Sequence, residues 1–334
     1  GFLGWHIRVH VYADRSIQAV PAGRDVFSDP AALAGFVRDK DAIVHLAGMN
    51  RGDEAEIERT NVALTQMLID ACERERARPH ILFANSTHSD RDTAYGRSKR
   101  RSTEMLAAWA ARAGARFTNL VIPGVFGEGG RPFYNSVAST FCHQIAERIL
   151  SVIRDGEIGL LKVAGQTTTV TALLERLQQL AGEYQSQILP SVADHFGLEL
   201  FNTYRSYLFP KRYPVALEKR ADARGSLFEV VRTIHGGQCF FSTTKPGITR
   251  GNHYHTAKIE RFLVAQGEAT IRVRRLFSKD VVEFRVNGDS PGYVDMPTFH
   301  THSITNVGAG ELLTLFWAHE IYDPKRSDTY SEPV

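Results

Sequence analysis

Two stretches of the sequence place reactive side chains at spacings that chemistry can use. In AYGRSK, Ala94 to Lys99, a tyrosine and a lysine stand four residues apart. On a helix that spacing puts both on one face. A neighbouring ammonium is expected to depress the phenol's pKa from about 10. Tyr95 can then exchange a proton with a substrate oxygen near neutrality, as acid or base. Tyr-x-x-x-Lys pairs also occur as plain surface pairs. Here the helix follows HILFANS, a strand whose end offers Ser86 and Thr87 to hold a reacting carbonyl. Ser86 is the first choice for that role and Thr87 the fallback.

The second stretch is GITRGNHYHTAKIERFLVAQG, Gly247 to Gly267. Residues i and i+2 of a strand share a face, so His253 and His255 can point to one place. Glu260, after a turn, can reach the same point from the neighbouring strand. MPTFHTHSITN, Met296 to Asn306, adds His302 and also His300, which reads as a bystander or supporting group. Imidazoles with a carboxylate suit Zn²⁺, or a non-haem Fe or Mn centre. Lys245, Arg250, Arg224 and Tyr254 stand near this motif as candidate acids, bases or enolate stabilisers. Structural roles are open for each of them.

The elements that must position these groups differ between the two halves. DAIVHLAG, HILFANS and FTNLVIPGVFG read as buried parallel strands, and helical patterns alternate with them. Alternation of this kind predicts a doubly wound parallel sheet. GFLG reads as the tail of a Gly-x-x-Gly-x-x-Gly turn, with Gly1 and Gly4 letting backbone approach a pyrophosphate. SIQAVPAG is the second-strand candidate, followed by Arg24 and Asp25. From Val170 a stripe of Val170, Leu173, Leu174, Leu177 and Leu180 predicts a helix whose apolar face packs in a core. From about Arg220, short alternating strands such as GEATIRVRRL predict an antiparallel sandwich or jelly roll. The expected domains are residues 1–208 and 209–334.

Bulk properties exclude several classes. With 334 residues, 43% apolar and 23% charged, the chain has room for two globular domains. A net charge of +3 without a Lys/Arg run gives no footprint for nucleic acid. Cys72, Cys142 and Cys239 are scattered and odd in number, which suits a reducing compartment. No run reaches the roughly 20 apolar residues of a membrane helix, and no signal segment is seen. A cytoplasmic protein without membrane insertion is expected.

GFLG, HLAG, FANSTHS, YGRSK and PGVFG, in this order, resemble an extended short-chain dehydrogenase/reductase. The resemblance implies a nicotinamide cofactor, with Tyr95 the catalytic acid, Lys99 its tuner and ribose ligand, and Ser86 the carbonyl-orienting hydroxyl. His45, Ala47 and Gly48 would line the cofactor groove with Gly1 and Gly4. An acidic residue after the second strand suits a free ribose hydroxyl and a basic one a 2′-phosphate. Both Arg24 and Asp25 are present, and NADPH on Arg24 is the expectation. Gly247, His253, His255, Glu260 and Gly267 reproduce the spacing of the first cupin motif. Pro297, His302 and Asn306 carry the second, with Phe299 where glycine is usual.

Taken over nearly the whole chain, RPFYNSVASTFCHQIA, RGSLFEV, STTKPGITRGNHYHTAKIERFLV, HSITNVG and IYDPKRSDTY resemble the CapF family of bifunctional capsular polysaccharide enzymes. That resemblance implies a homodimer in which a C-terminal zinc cupin epimerises C3 of a UDP-linked 4-keto-6-deoxy-N-acetylhexosamine. The N-terminal reductase would then reduce C4 with NADPH, giving UDP-N-acetyl-6-deoxy-L-talosamine for UDP-N-acetyl-L-fucosamine. It also implies His253, His255, Glu260 and His302 as the zinc ligands. The chemistry is coherent, because one ketone both acidifies its neighbouring C–H and accepts hydride. The alternatives are a single-activity 4-ketoreductase with a structural or dimerising cupin, a reductase joined to an Fe(II) oxygenase, and a non-catalytic sensor of NADP and sugar nucleotide.

Overall fold

The computed structural model describes residues 1–130, 140–217, 220–222, 225–227, 231–233, 237–320 and 324–334. They divide into two compact units, Gly1–Phe126 with Pro132–Thr168, and Gly127–Arg131 with Thr169–Val334.

In the first unit four parallel strands lie in sequence order: Ala42–His45, His80–Ser86, Phe117–Ile122 and Gly159–Lys162. Side-chain alternation along His80–Ser86, with both faces covered, explains the continuous apolar run Ile81 to Ala84. Ile81 and Phe83 join a core with Leu68, Leu106 and Trp109 from helices Glu54–Glu75 and Ala94–Ala113. Leu82 turns the other way, to Ile7 and Val11 of helix Phe2–Asp14 and Ile145 and Ile149 of helix Cys142–Asp155. Helices on both faces make this a Rossmann-like doubly wound sheet. Its helices start where the sequence supplies acceptors: Asp53 takes the N–H of Glu56 at 3.0 Å, and Thr93 that of Gly96 at 3.1 Å.

The expected strand at SIQAVPAG is not formed. Residues 16–23 are irregular, and Gln18 to Gly23 are exposed. Pro21 has no N–H to give a ladder, and the described sheet begins at Ala42–His45.

The second unit contains two five-stranded antiparallel sheets. One runs Gln238–Thr244, Leu312–Ala318, Glu260–Gln266, Gly292–Met296, Val215–Ala216. The other runs Val281–Asn287, Glu268–Arg275, His300–Asn306, Thr249–Tyr254, Tyr330–Ser331. Their inner faces share a core that includes Phe262, Val264, Ile271, Val273, Ile304 and Phe316.

The units part at Thr168, not at 208, so helices Val170–Gln185 and His195–Leu208 belong with the antiparallel sheets. Buried polar contacts account for it. Tyr184 donates its hydroxyl to Asp295, which also forms a buried ion pair with Arg261 at 2.7 Å. Arg205 donates to the Met296 carbonyl at 2.8 Å. The leucine stripe packs at its C-terminal end only. Val170 and Leu174 are exposed and Leu173 and Leu177 half-buried, so of the stripe only Leu180 is buried, with Tyr184 one turn on, where the helix meets Asp295. No helix among the described residues is long and apolar enough to cross a membrane.

Candidate functional site

Tyr95 and Lys99 lie in the first turns of helix Ala94–Ala113, beside the 3-10 turn Thr87–Asp90 that follows the strand ending at Ser86. Gly96 makes this possible. A Cβ there would fall 2.2 Å from the Arg91 carbonyl oxygen and 2.6 Å from that of His88. The close approach brings the side chains of Tyr95 and Ser86 near one another. Thr87, the fallback, lies in the 3-10 turn itself.

Lys99 is buried, donates to the Ala84 carbonyl at 2.7 Å, and lies over the rings of Phe83 and Tyr95 at 4.5 and 5.7 Å. Burial lowers its pKa to about 8. The expected depression of the Tyr95 phenol is not found. Burial raises its pKa, and the nearby Ser86 hydroxyl only partly opposes this. The ammonium touches the ring face and a carbonyl, so burial dominates.

The proposed cofactor residues fall in different places. Gly1 and Gly4 begin helix Phe2–Asp14, and a Cβ on Gly4 would lie 3.4 Å from Leu46. Ala47 and Gly48 follow strand Ala42–His45, where a Cβ on Gly48 would come 3.2 Å from Asn61. Small residues at a strand end beside a helix N-terminus fit a dinucleotide's pyrophosphate. Arg24 and Asp25 are both exposed at the start of helix Arg24–Ser28. His45 turns its ring into the core. Its ring is buried near Phe27 and Phe83 and contacts Thr65 at 3.4 Å, and burial takes its pKa to about 3.

Sequence reasoning passed over Asn61. Its amide accepts from the Met49 N–H at 2.6 Å and donates to the Met49 carbonyl at 2.9 Å and Ser98 at 3.0 Å. It ties the loop after the first strand to the helix bearing Tyr95 and Lys99. Its only sequence signal was an amide on the buried face of an amphipathic helix.

In the second unit, ligand-capable atoms of His253, His255, Glu260 and His302 all lie within 4.8 Å of one another. A bulge aims the first histidine. Gly251 and Asn252 take positive φ of 97° and 57°, and the register against His302 shifts there. Oε2 of Glu260 stands 3.0 Å from Nε2 of His255, 3.6 Å from that of His302 and 3.9 Å from that of His253. Burial opposes ionisation of Glu260, but the three imidazoles outweigh it and hold the carboxyl well below the usual range. Burial lowers His302 to about 4, so it is neutral at pH 7.

The arrangement fits a divalent cation. Nε2 of His255 and of His302 are buried without a hydrogen bond. Their Nδ1 atoms face carbonyl oxygens, of Asp328 and, at 3.4 Å, of His300. A proton on Nδ1 leaves the Nε2 lone pair turned inward, as a ligand needs. His300 thus contributes through its backbone.

The other candidates stand apart from this centre or outside the described residues. Arg250 donates to Thr244 and Thr243, both at 3.0 Å. Tyr254 is buried and stacks on Tyr330, and Lys245 is exposed. Arg224 lies outside the described residues. Lys258 was missed, although its Nζ is 3.2 Å from Glu260 Oε1. Phe299 adopts φ 60° and is buried, so the backbone keeps the conformation that glycine would supply.

Residues 10–158 match the NAD dependent epimerase/dehydratase family, and residues 220–330 match the polysaccharide biosynthesis C-terminal domain. The chain is 31% identical, over 99% of its length and 96% of the relative's, to UDP-2-acetamido-2,6-beta-L-arabino-hexul-4-ose reductase of Pseudomonas aeruginosa. The chain belongs to the CapF-type sugar-nucleotide enzymes. Among solved structures it is similar to the capsular polysaccharide assembling protein CapF of Staphylococcus aureus. That likeness has 28% identity and TM-score 0.61, over 100% of this chain and 98% of the other. CapF bound to 3-isopropenyl-tropolone is also similar, with 26% identity, TM-score 0.55 and coverage of 100% and 97%. An extended reductase handling sugar nucleotides with a nicotinamide cofactor is the activity this family carries.

Proposed function

We propose that this enzyme acts twice on one UDP-linked 4-keto-6-deoxy-N-acetylhexosamine. The second unit, taken as a jelly-roll cupin, inverts C3, and the first unit reduces C4. The product is UDP-N-acetyl-6-deoxy-L-talosamine, a precursor of UDP-N-acetyl-L-fucosamine for surface polysaccharide. The observation that carries the two-step reading is the convergence of His253, His255 and His302 on Glu260 in a chain that also holds Tyr95, Lys99 and Ser86.

In reduction, Ser86 orients the C4 carbonyl and Tyr95 gives its phenolic proton to the oxygen as C4 receives hydride. Bound NADPH supplies that hydride. Burial keeps Tyr95 protonated, which suits an acid more than a base. Lys99 offers a fixed positive charge beneath the site, while Gly1, Gly4, Ala47 and Gly48 leave room for the dinucleotide and Arg24 reads its 2′-phosphate. In epimerisation, the C3 proton leaves and returns on the opposite face through an enolate. His253, His255, Glu260 and His302 would hold Zn²⁺, which when bound supplies Lewis acidity or braces the site. As the family resemblance implies, the enzyme works as a cytoplasmic homodimer.

Proton–deuterium exchange at C3 of the keto-sugar nucleotide, with and without NADPH, tests this. Exchange without cofactor, retained in Tyr95→Phe while NADPH oxidation is lost, is the expected result. No exchange under either condition would leave a single-activity 4-ketoreductase, the activity named for the Pseudomonas aeruginosa relative.

A further inference from the structure

We infer that Asp328 is a positioning residue of the His–Glu centre, fixing the turn between His255 and Glu260 so that metal affinity depends on a carboxylate outside the ligand set. This rests on the metal-binding reading above. His255 and Glu260 stand at opposite ends of residues 256–259. The Ile259 N–H donates to Nδ1 of His319 at 3.0 Å, which holds the Glu260 end and leaves the first three N–H groups of the turn to be fixed.

Asp328 supplies the constraint. Its Oδ1 accepts from the Thr256 N–H at 2.9 Å and the Thr256 hydroxyl at 2.8 Å. Its Oδ2 accepts from the N–H groups of Ala257 and Lys258, each at 2.7 Å. Three successive N–H groups closing on one carboxylate form an anion nest of short, charge-assisted bonds. The backbone carbonyl of the same residue accepts from Nδ1 of His255, setting that imidazole's tautomer and tilt.

The segment then continues past His253. Ser331 pairs with His253 and Tyr330 with Tyr254, the two tyrosine rings stacking at 5.3 Å. The Glu332 N–H donates to the Asn252 carbonyl at 2.9 Å, within the bulge that aims His253. One short stretch of chain therefore sets three ligands: His255 through a carbonyl, Glu260 through its turn, and His253 through its ladder.

The test is Zn²⁺ affinity of the full chain by competition with a chromophoric chelator, beside the melting temperature of the metal-free protein. Asp328→Asn should weaken Zn²⁺ binding about 10- to 100-fold. In ¹⁵N NMR of the metal-free protein, His255 should lose its single Nδ1–H tautomer. Unchanged affinity in Asp328→Asn, with wild type binding one equivalent, would overturn the inference and spare the metal site. A wild type that binds no Zn²⁺ would overturn the metal reading and the inference with it. Should Asp328→Asn fail to fold, Thr256→Val decides, since it removes one bond to Asp328. A several-fold weaker affinity is expected there, and wild-type affinity refutes the role.

Discussion

Lys258 Nζ lies 3.2 Å from one oxygen of Glu260, while the other oxygen of that carboxylate faces three imidazoles. The lysine therefore satisfies the half of the carboxylate that the histidines do not. It also places a positive charge beside any cation they hold. Lys258→Met removes that repulsion and should tighten Zn²⁺ binding by about tenfold or more, since a unit charge within several ångströms of a dication is worth over about 1 kcal/mol even when well screened. The metal-free protein should lose stability, by about 3 kcal/mol, because a buried carboxylate is left without its partner. Chelator competition and denaturant unfolding of the metal-free protein check the two signs together.

Gly96 gives a test confined to the first unit. Alanine there would drive its Cβ into the backbone carbonyls of Arg91 and His88. The 3-10 turn must then move away from the helix, separating Ser86 from Tyr95. Gly96→Ala should destabilise the first unit by about 1–3 kcal/mol and reduce NADPH oxidation at least tenfold. C3 exchange by the second unit should persist. Loss of both activities together would show that the glycine serves general folding instead.

Lys99 should set the pH dependence of reduction. Its folded pKa is about 8 because burial disfavours the ammonium. Below pH 8 it is charged, and above that value it is neutral. If the charge assists the reaction, kcat/KM for reduction falls as pH rises through about 8, well before Tyr95 can ionise. Lys99→Arg should move that limb above pH 10. The stability sign is also defined. A lowered folded pKa means its contribution is full above the unfolded value of about 10.4 and is lost as pH falls through about 8. At neutral pH, Lys99→Met should therefore stabilise the first unit, by about 1–3 kcal/mol, while abolishing reduction.

The sequence carried the parallel sheet because each strand from Ala42 to Ile122 holds a short apolar run, Ala42–Val44, Ile81–Ala84 and Leu120–Ile122, between helical patterns. It carried the four converging groups too, since His253, His255, Glu260 and His302 are reactive types at ladder spacing. Contacts through backbone carbonyls and across long loops were not legible. Asp328 is 72 residues from Thr256, and no local pattern marks that pairing. The burial of His45 was not legible either, since its place at the end of a strand does not say that its ring turns into the core toward Thr65. The leucine stripe misled for a related reason. Periodicity names a helix face but not how much of it is covered, and cover reaches only the end with Leu180 and the Tyr184–Asp295 contact.

Phe299 offers a last test, in which backbone and side chain oppose each other. It sits at φ 60°, donates its N–H to the His255 carbonyl at 2.8 Å, and is 1% exposed. A bulky side chain in the left-handed region costs about 1–2 kcal/mol, while loss of a buried phenyl ring costs about 3–5 kcal/mol. Phe299→Gly relieves the first and incurs the second, for a net loss of about 2–3 kcal/mol. Phe299→Ala loses the ring but keeps the strain, so it should be less stable than the glycine variant by about 1 kcal/mol. That order reverses the usual one for alanine and glycine. Denaturant unfolding of the two variants measures it, and an alanine variant at least as stable as glycine would show that the backbone there is unstrained.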